Sequence, residues 1–578
     1  MAGIGPSSSY NEARHKRQLR GWLTYAFASE VFVIVSLTLF LPICLEQFAR
    51  DNGYLLPEKT QPCSLASANS TRIASPQEEN RCVVKIAWLW IDSASFSLYV
   101  YSASVALQAL TVISMGNIAD HPPHRKRLLL GFAALGSFAA MLFFVIPSSS
   151  PVWFLAAPLA ICANVGFGAS IVALNAYLPF LARGTHEVVA AREALEQHNY
   201  THAASTALGG YDEELVAGAL GDDTQLAAEP LLPHDTPSAT DSNVLAAKLA
   251  HDNALSSATA RISGHGIALG YAAGIFMLLL ALIPVRALGG STFALRLAIG
   301  LSGVWWAVFS IPAALWLPGA SAIEARSQDT DEIGQERETK WSARREIAAA
   351  WKRLGGMLRW REVKKLSNTF KYLAAWFLLS DGFSSISSTA MLFGKTSLNM
   401  PPSSLIVVGA LAPSAGIFGS LVWPIIQRRM GWTNKRVLVI LLVLASLVPA
   451  YGCLGFLPIF QHSVKFGGLT TPGEMFVLAV YFGFILGAFQ GYARAFYAEL
   501  IPPGEEARWY GLFSITDKSS SFIGPLIVGL IADTTGNIRY AFFFLVFMVW
   551  SAVPFLAGVD VERGREDARA YRYGSRSA

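Results

Sequence analysis

The chain has 578 residues, 53% of them hydrophobic and only 15% charged, with a mean hydropathy of +0.40. Soluble domains carry closer to 25% charge, so this balance excludes an ordinary soluble protein and points to the membrane. The net charge of +5 excludes little, because the placement of Lys and Arg matters in a membrane protein and their total does not.

A spanning helix needs about 20 apolar residues. Twelve such segments are predicted, at 21–48, 84–115, 128–147, 152–182, 262–285, 292–317, 369–394, 404–426, 436–460, 475–500, 510–532 and 538–558. Residues 1–20 form a polar, basic tail (Arg14, Lys16, Arg17, Arg20), and the run that follows is too long for a cleavable signal core. Residues 21–182 hold spans one to four, interrupted by a polar loop at 49–83. That loop carries Cys63, Cys82 and the sequon Asn69-Ser70-Thr71, a combination that suits an oxidising, glycosylating compartment. A Cys63–Cys82 disulfide is expected, and Asn69 is the candidate glycosylation site.

Residues 183–261 are polar, acidic and rich in Ala, Ser and Thr, with Pro230, Pro233 and Pro237. They read as a disordered loop. Spans five and six occupy 262–318, and a linker at 319–367 follows. In that linker Ile347, Trp351, Leu354 and Leu358 recur at helical spacing amid Arg and Lys. The pattern fits an amphipathic helix lying on an anionic leaflet; it equally fits a solvated helix that packs on nothing. Spans seven to twelve fill 368–558, and 559–578 is a second tail.

Arg125, Lys126 and Arg127 follow span two, and Arg428, Arg429, Lys435 and Arg436 follow span eight, whereas the alternate connections are poor in basic residues. By the positive-inside rule both termini are cytosolic and the cysteine loop lies on the far side. The linker divides the spans six and six. Ser29-Glu30-Val31-Phe32 of span one resembles Ser380-Asp381-Gly382-Phe383 of span seven, and Gly168-Ala169 before Asn175-Ala176-Tyr177 in span four matches Gly487-Ala488 before Arg494-Ala495-Phe496 in span ten. These pairs suggest two six-helix repeats.

The most informative stretch is Phe476–Pro502, FVLAVYFGFILGAFQGYARAFYAELIP. Gly483, Gly487 and Gly491 recur every fourth residue, a small face on which another helix can pack. Gln490, Arg494 and Tyr497 form a neighbouring polar stripe. An arginine in hydrocarbon costs about 2.5–3.5 kcal/mol on insertion scales, so it normally faces a partner or a wet cavity. At about 1.5 Å of rise per residue, Arg494 lies roughly 12 Å inside Pro502, Glu30 roughly 14 Å beyond Gly21, and Asp381 roughly 15 Å beyond Lys371. Three charged residues therefore share one layer.

After span two, Gly116-Asn117-Ile118-Ala119-Asp120 followed by Arg125-Lys126-Arg127 resembles the major facilitator signature, stretched here by His121-Pro122-Pro123-His124. FSLYVYSASVALQAL (Phe96–Leu110), ISGHGIALGYAAG (Ile262–Gly274), QGYARAFYAELIP (Gln490–Pro502) and YGLFSITDKSSSFIGPLIVGLIAD (Tyr510–Asp533) together resemble the fungal autophagy-related protein 22 family, from about Gly21 to Arg563 outside the two long loops. The resemblance implies an all-α, major-facilitator-type polytopic membrane protein, about twelve helices in two six-helix bundles. It also implies a multi-pass vacuole-membrane transporter that exports amino acids, leucine-type and other neutral ones, after autophagic breakdown.

In such a fold spans one, four, seven and ten line the cavity. Arg494 then suits a substrate carboxylate, Glu30 or Asp381 its ammonium, and Asn175, Tyr177 and Gln490 complete the shell. Glu30 and Arg494 pairing only with each other is the structural alternative, and either acid is also a candidate carrier of a coupling proton. Asp120, Asp517 and Lys518 are gating candidates. Alternative functions are a carrier of sugars, nucleosides or peptides, or a solute sensor that does not transport. Nothing resembles GxxxxGK[ST], HExxH, CxxC or a nucleophile elbow. The expectation is no enzyme, no cofactor, no metal and no nucleic acid; the partners are amino acids, protons and the bilayer.

Overall fold

Long apolar runs can only be helical where no water is present to satisfy the backbone, and helices dominate the structure. It is a computed structural model that describes residues 12–571 apart from 57–58, 64–81, 87, 121, 201–238, 320–341, 458–465 and 503–505. The Asn69 sequon lies outside the described residues.

Span one runs as Glu12–Val31, a π-helical stretch Phe32–Phe40, and Leu41–Asp51. Span two is Ser93–Asp120, three is Pro122–Met141, four is Ala156–Asn175, five is Ala239–Ala287 and six is Thr292–Trp316. Span seven is Ser367–Thr396, eight is Pro402–Met430, nine is Asn434–Leu454, ten is Pro472–Ala498 and twelve is Ala541–Ala557. Span eleven comes in two pieces, Glu506–Ser520 and Ile523–Thr535. Among the described residues, ten helices are long and apolar enough to cross a membrane. The two others are span seven, which carries Ser380, Asp381, Ser384, Ser385, Ser387, Ser388 and Thr389 in one stretch, and the broken span eleven.

Three expectations change. Span two does not begin at residue 84. Residues before Ser93 form β2 (Cys82–Ile86) and β3 (Leu89–Asp92), antiparallel to each other, with β1 (Tyr54–Leu55) on the outer side of β2. Val83, Val84, Ile86, Trp90 and Ile91 favour a pleated surface, and hydropathy alone does not separate a short buried strand from the start of a helix. The Cys63–Cys82 disulfide is present and fastens this small sheet.

Residues 183–261 are not disordered throughout. Residues 186–200 are helical, and span five begins at Ala239 rather than at 262. The first is rich in Ala and Glu and the second in Ala and Leu, strong helix formers, which a reading of overall polarity discounts. Finally, the linker helix Ala343–Met357 neither floats nor relies on lipid alone. It packs on span two, where the Trp351 indole donates to the Ser114 hydroxyl at 3.2 Å, and Ile347 lines an apolar groove with Leu110 and Met115.

Span one packs against spans five and six, span two against four, and span three against four and six. In the second half span eight packs against ten, nine against ten and twelve, and seven against eleven and twelve. The small residues repeat across the two halves with the same use. A Cβ added at Gly168 in span four would strike the Gln108 side chain of span two; one added at Gly487 in span ten would strike the Gly416 carbonyl of span eight. Gly483 is likewise blocked by Ala412 of span eight, so the glycine face of span ten is a backbone-to-backbone contact.

Candidate functional site

Span eleven breaks at Ser521-Phe522, and the break frees the first N–H groups of its second half. Side chains from two other spans meet it there. Ser102 of span two donates to the Phe522 carbonyl at 2.7 Å and Ser95 to the Gly529 carbonyl at 2.9 Å. Asp381 of span seven receives the Gly524 N–H, 3.0 Å from Oδ1 and 2.8 Å from Oδ2. A carboxylate at the N-terminus of the second half-helix also meets the positive end of its dipole. Asp381 is 3% exposed. It therefore serves as a cap that holds the Gly524 N–H of span eleven.

Tyr177 lies at the junction of spans four and six. It is fully buried, its hydroxyl donates to the Pro318 carbonyl at 3.1 Å, and the Arg125 guanidinium lies 5.1 Å over its ring. It fastens the ends of spans four and six rather than lining a cavity. Asp120 closes the helix of span two, and its side chain lies outside the described ones. Asp517 accepts from the Ser380 hydroxyl at 2.5 Å and lies 3.4 Å from Lys518 Nζ.

Glu30 lies against Gly270 of span five, where a Cβ would collide with its side chain, and it is within electrostatic reach of Lys518. Tyr271, the next residue of span five, lies within reach of both Glu30 and Arg494. Arg494 and Gln490 stand on the exposed stripe of span ten, and a side chain added at Gly491 between them would meet open space. Asn175 is exposed at the end of span four. Tyr271 was not visible as a site residue in the sequence; its only signal is its place beside Gly270, the residue whose missing side chain lets Glu30 approach. The π-helical stretch begins two residues beyond Glu30, and such widened turns are frequent at functional positions.

Hydrogen bonds between the two halves gather away from the termini. Lys395 Nζ of span seven donates to Gln47 Oε1 of span one at 3.3 Å, and the Asp92 N–H donates to Asp533 Oδ1 at 2.9 Å. With the Ser95 and Ser102 bonds, they hold the disulfide-bearing side together. Gly264 and Gly511, toward the terminal side, border open space. Among the described residues no group of three His, Cys, Asp or Glu side chains is placed to hold a metal ion.

The chain is a polytopic helical membrane protein of the major facilitator fold. The nucleoside transporter NupG shares this fold, with a TM-score of 0.50 at 11% identity over 94% of this chain and 99% of that one. The chain belongs to the family described as vacuole effluxer Atg22 like, whose model matches residues 14–569. It is 40% identical to Autophagy-related protein 22 of Cryptococcus neoformans var. neoformans serotype D, over 96% of this chain and 97% of that protein. It is 38% identical to Autophagy-related protein 22-1 of Aspergillus fumigatus, over 96% and 91%.

Proposed function

We propose that the protein exports neutral amino acids, including leucine-type ones, from the vacuole lumen to the cytosol by alternating access of two six-helix halves. Both termini and the basic residues Arg125, Lys126, Arg127, Arg428 and Arg429 are cytosolic in this reading, and the disulfide loop is lumenal. The supporting observation is that Tyr271 lies within electrostatic reach of both an acid, Glu30, and a base, Arg494, from opposite halves. A zwitterion needs one of each. Arg494 takes the carboxylate in its guanidinium fork, Glu30 takes the ammonium, and Gln490 and Asn175 supply neutral hydrogen bonds. With the lumenal side closed, this arrangement corresponds to the state that releases solute to the cytosol.

The test is counterflow of labelled leucine into vesicles holding the purified full chain. Wild type should exchange leucine and be competed by other neutral amino acids, and Arg494→Ala should lose exchange while remaining folded. Competition by nucleosides or sugars instead of amino acids, or full exchange by Arg494→Ala, would overturn this reading.

A further inference from the structure

A second group of charged side chains lies at the disulfide-bearing ends of spans one, six and seven, apart from the cavity. Glu46 of span one is 1% exposed. Its Oε1 is 3.9 Å from Arg50 Nη1, and its Oε2 has no hydrogen-bond partner among the described residues. Arg50 and Asp51 face it from its own helix, Lys395 from span seven and Asp92 from β3. Arg296 of span six, 9% exposed and with Nε unpartnered among the described residues, lies with Asp51 and Lys395 around the neighbouring Cys44. Of the other elements packed on this segment, β2 carries Lys85, which is exposed and stands 5.9 Å over the Trp90 ring. The π-helical stretch and span four carry no charged residue, and span two none before Asp120.

One line of hydrogen bonds crosses the seam here. Lys395 donates to Gln47 at 3.3 Å, Gln47 Nε2 to Asp51 Oδ1 at 2.8 Å, and Thr292 of span six to Asp51 Oδ2 at 3.4 Å. Lys395 is the member of this line contributed by the second half.

We propose that Glu46 is a proton-binding site on the disulfide-bearing side, and that its protonation opens the seam between spans one and seven. A carboxylate withdrawn from water with one oxygen lacking a donor is held there by the cations around it. When it is ionised, its charge attracts Lys395 and Arg50. A proton that passes from bulk water onto Glu46 removes that attraction. Lys395 is then held less firmly on this side of the seam, and it is one of the residues that tie the halves together. Assigning the proton to an acidic lumen rests on the orientation proposed above; the proton site and its opening effect do not.

The test places nitroxide labels, carried by unnatural amino acids, at the exposed positions of Leu89 and Tyr540. The full chain is reconstituted in liposomes with its disulfide and free cysteines intact and no solute present. Pulsed spin-resonance distances are read at neutral and mildly acidic pH. Wild type should shift reversibly to longer distances in acid. Glu46→Gln, which fixes a neutral side chain, should hold the longer distances at both pH values, and Lys395→Met should do the same by removing the link. A wild-type distance that does not move with pH, or a Glu46→Gln protein that still moves as wild type does, would overturn the proposal. Because no solute enters the measurement, the result is independent of whether amino acids are the cargo.

Discussion

Asp381 and Gly524 are joined through a shared N–H, the Gly524 amide lying 3.0 Å from one carboxylate oxygen and 2.8 Å from the other. Glu30 in span one lies against Gly270 of span five, and Asp381 in span seven lies against Gly524 of span eleven. The two acids hold matching places in the two halves but do different work. Span five is continuous at Gly270, so it offers Glu30 no freed helical N–H. Span eleven is interrupted just before Gly524, and Asp381 serves the interruption.

Asp381→Ala should therefore lower the stability of the protein rather than weaken its hold on solute. Removing a charged acceptor from a buried donor costs about 1.5–3 kcal/mol. Thermal unfolding in detergent should show that loss, whereas Arg494→Ala should unfold like wild type. An Asp381→Ala protein of normal stability with a raised KM for amino acid would return this residue to the solute site.

Arg494→Lys should bind poorly although it keeps the charge. Lys is a point donor that does not reproduce the planar two-bond grip on a carboxylate. Losing one charge-assisted hydrogen bond, about 1.5–3 kcal/mol, corresponds to a KM increase of about tenfold or more. Equal KM values in Lys and Arg proteins would show that the guanidinium does not hold the carboxylate directly.

The glycines of span ten should differ sharply in tolerance. Gly487→Val would drive a side chain into the Gly416 carbonyl of span eight and cost about 1–3 kcal/mol of overpacking, or more. Gly491→Ala should fold normally, because its side chain enters open space. Measuring both by thermal unfolding separates the packing face from the cavity face; equal losses would contradict the division.

Removing the disulfide should loosen the sheet without dismantling the bundle. A bridge closing a loop of this length contributes about 3 kcal/mol. A Cys63→Ser, Cys82→Ser protein should show faster amide exchange over 82–92 and little change in span ten. Uniform loss of protection would mean that the bridge supports the whole fold.

Much of this architecture was legible in the chain. Leucine- and phenylalanine-rich runs declare the spans, because hydropathy acts residue by residue and needs no partner. Paired glycines at 168 and 487 announce close contacts for the same local reason, since only a missing side chain allows them. Errors arose where the outcome depends on a neighbour. Val83 to Asp92 is apolar enough to begin a helix, yet pairs as strands once the Cys63–Cys82 bridge anchors it. Asp381 and Tyr177 carry the same polar groups whether they face solute or a backbone amide.

By itself the sequence determined that the chain is helical, crosses a membrane many times and carries charges at mid-depth, because the cost of exposing backbone or charge to lipid is paid locally. Only the tertiary structure decided that Glu30 lies against Gly270 within electrostatic reach of Lys518 while Asp381 turns to Gly524. That choice depends on which helix is interrupted and where a glycine leaves room, and both are set by contacts between spans far apart in the chain.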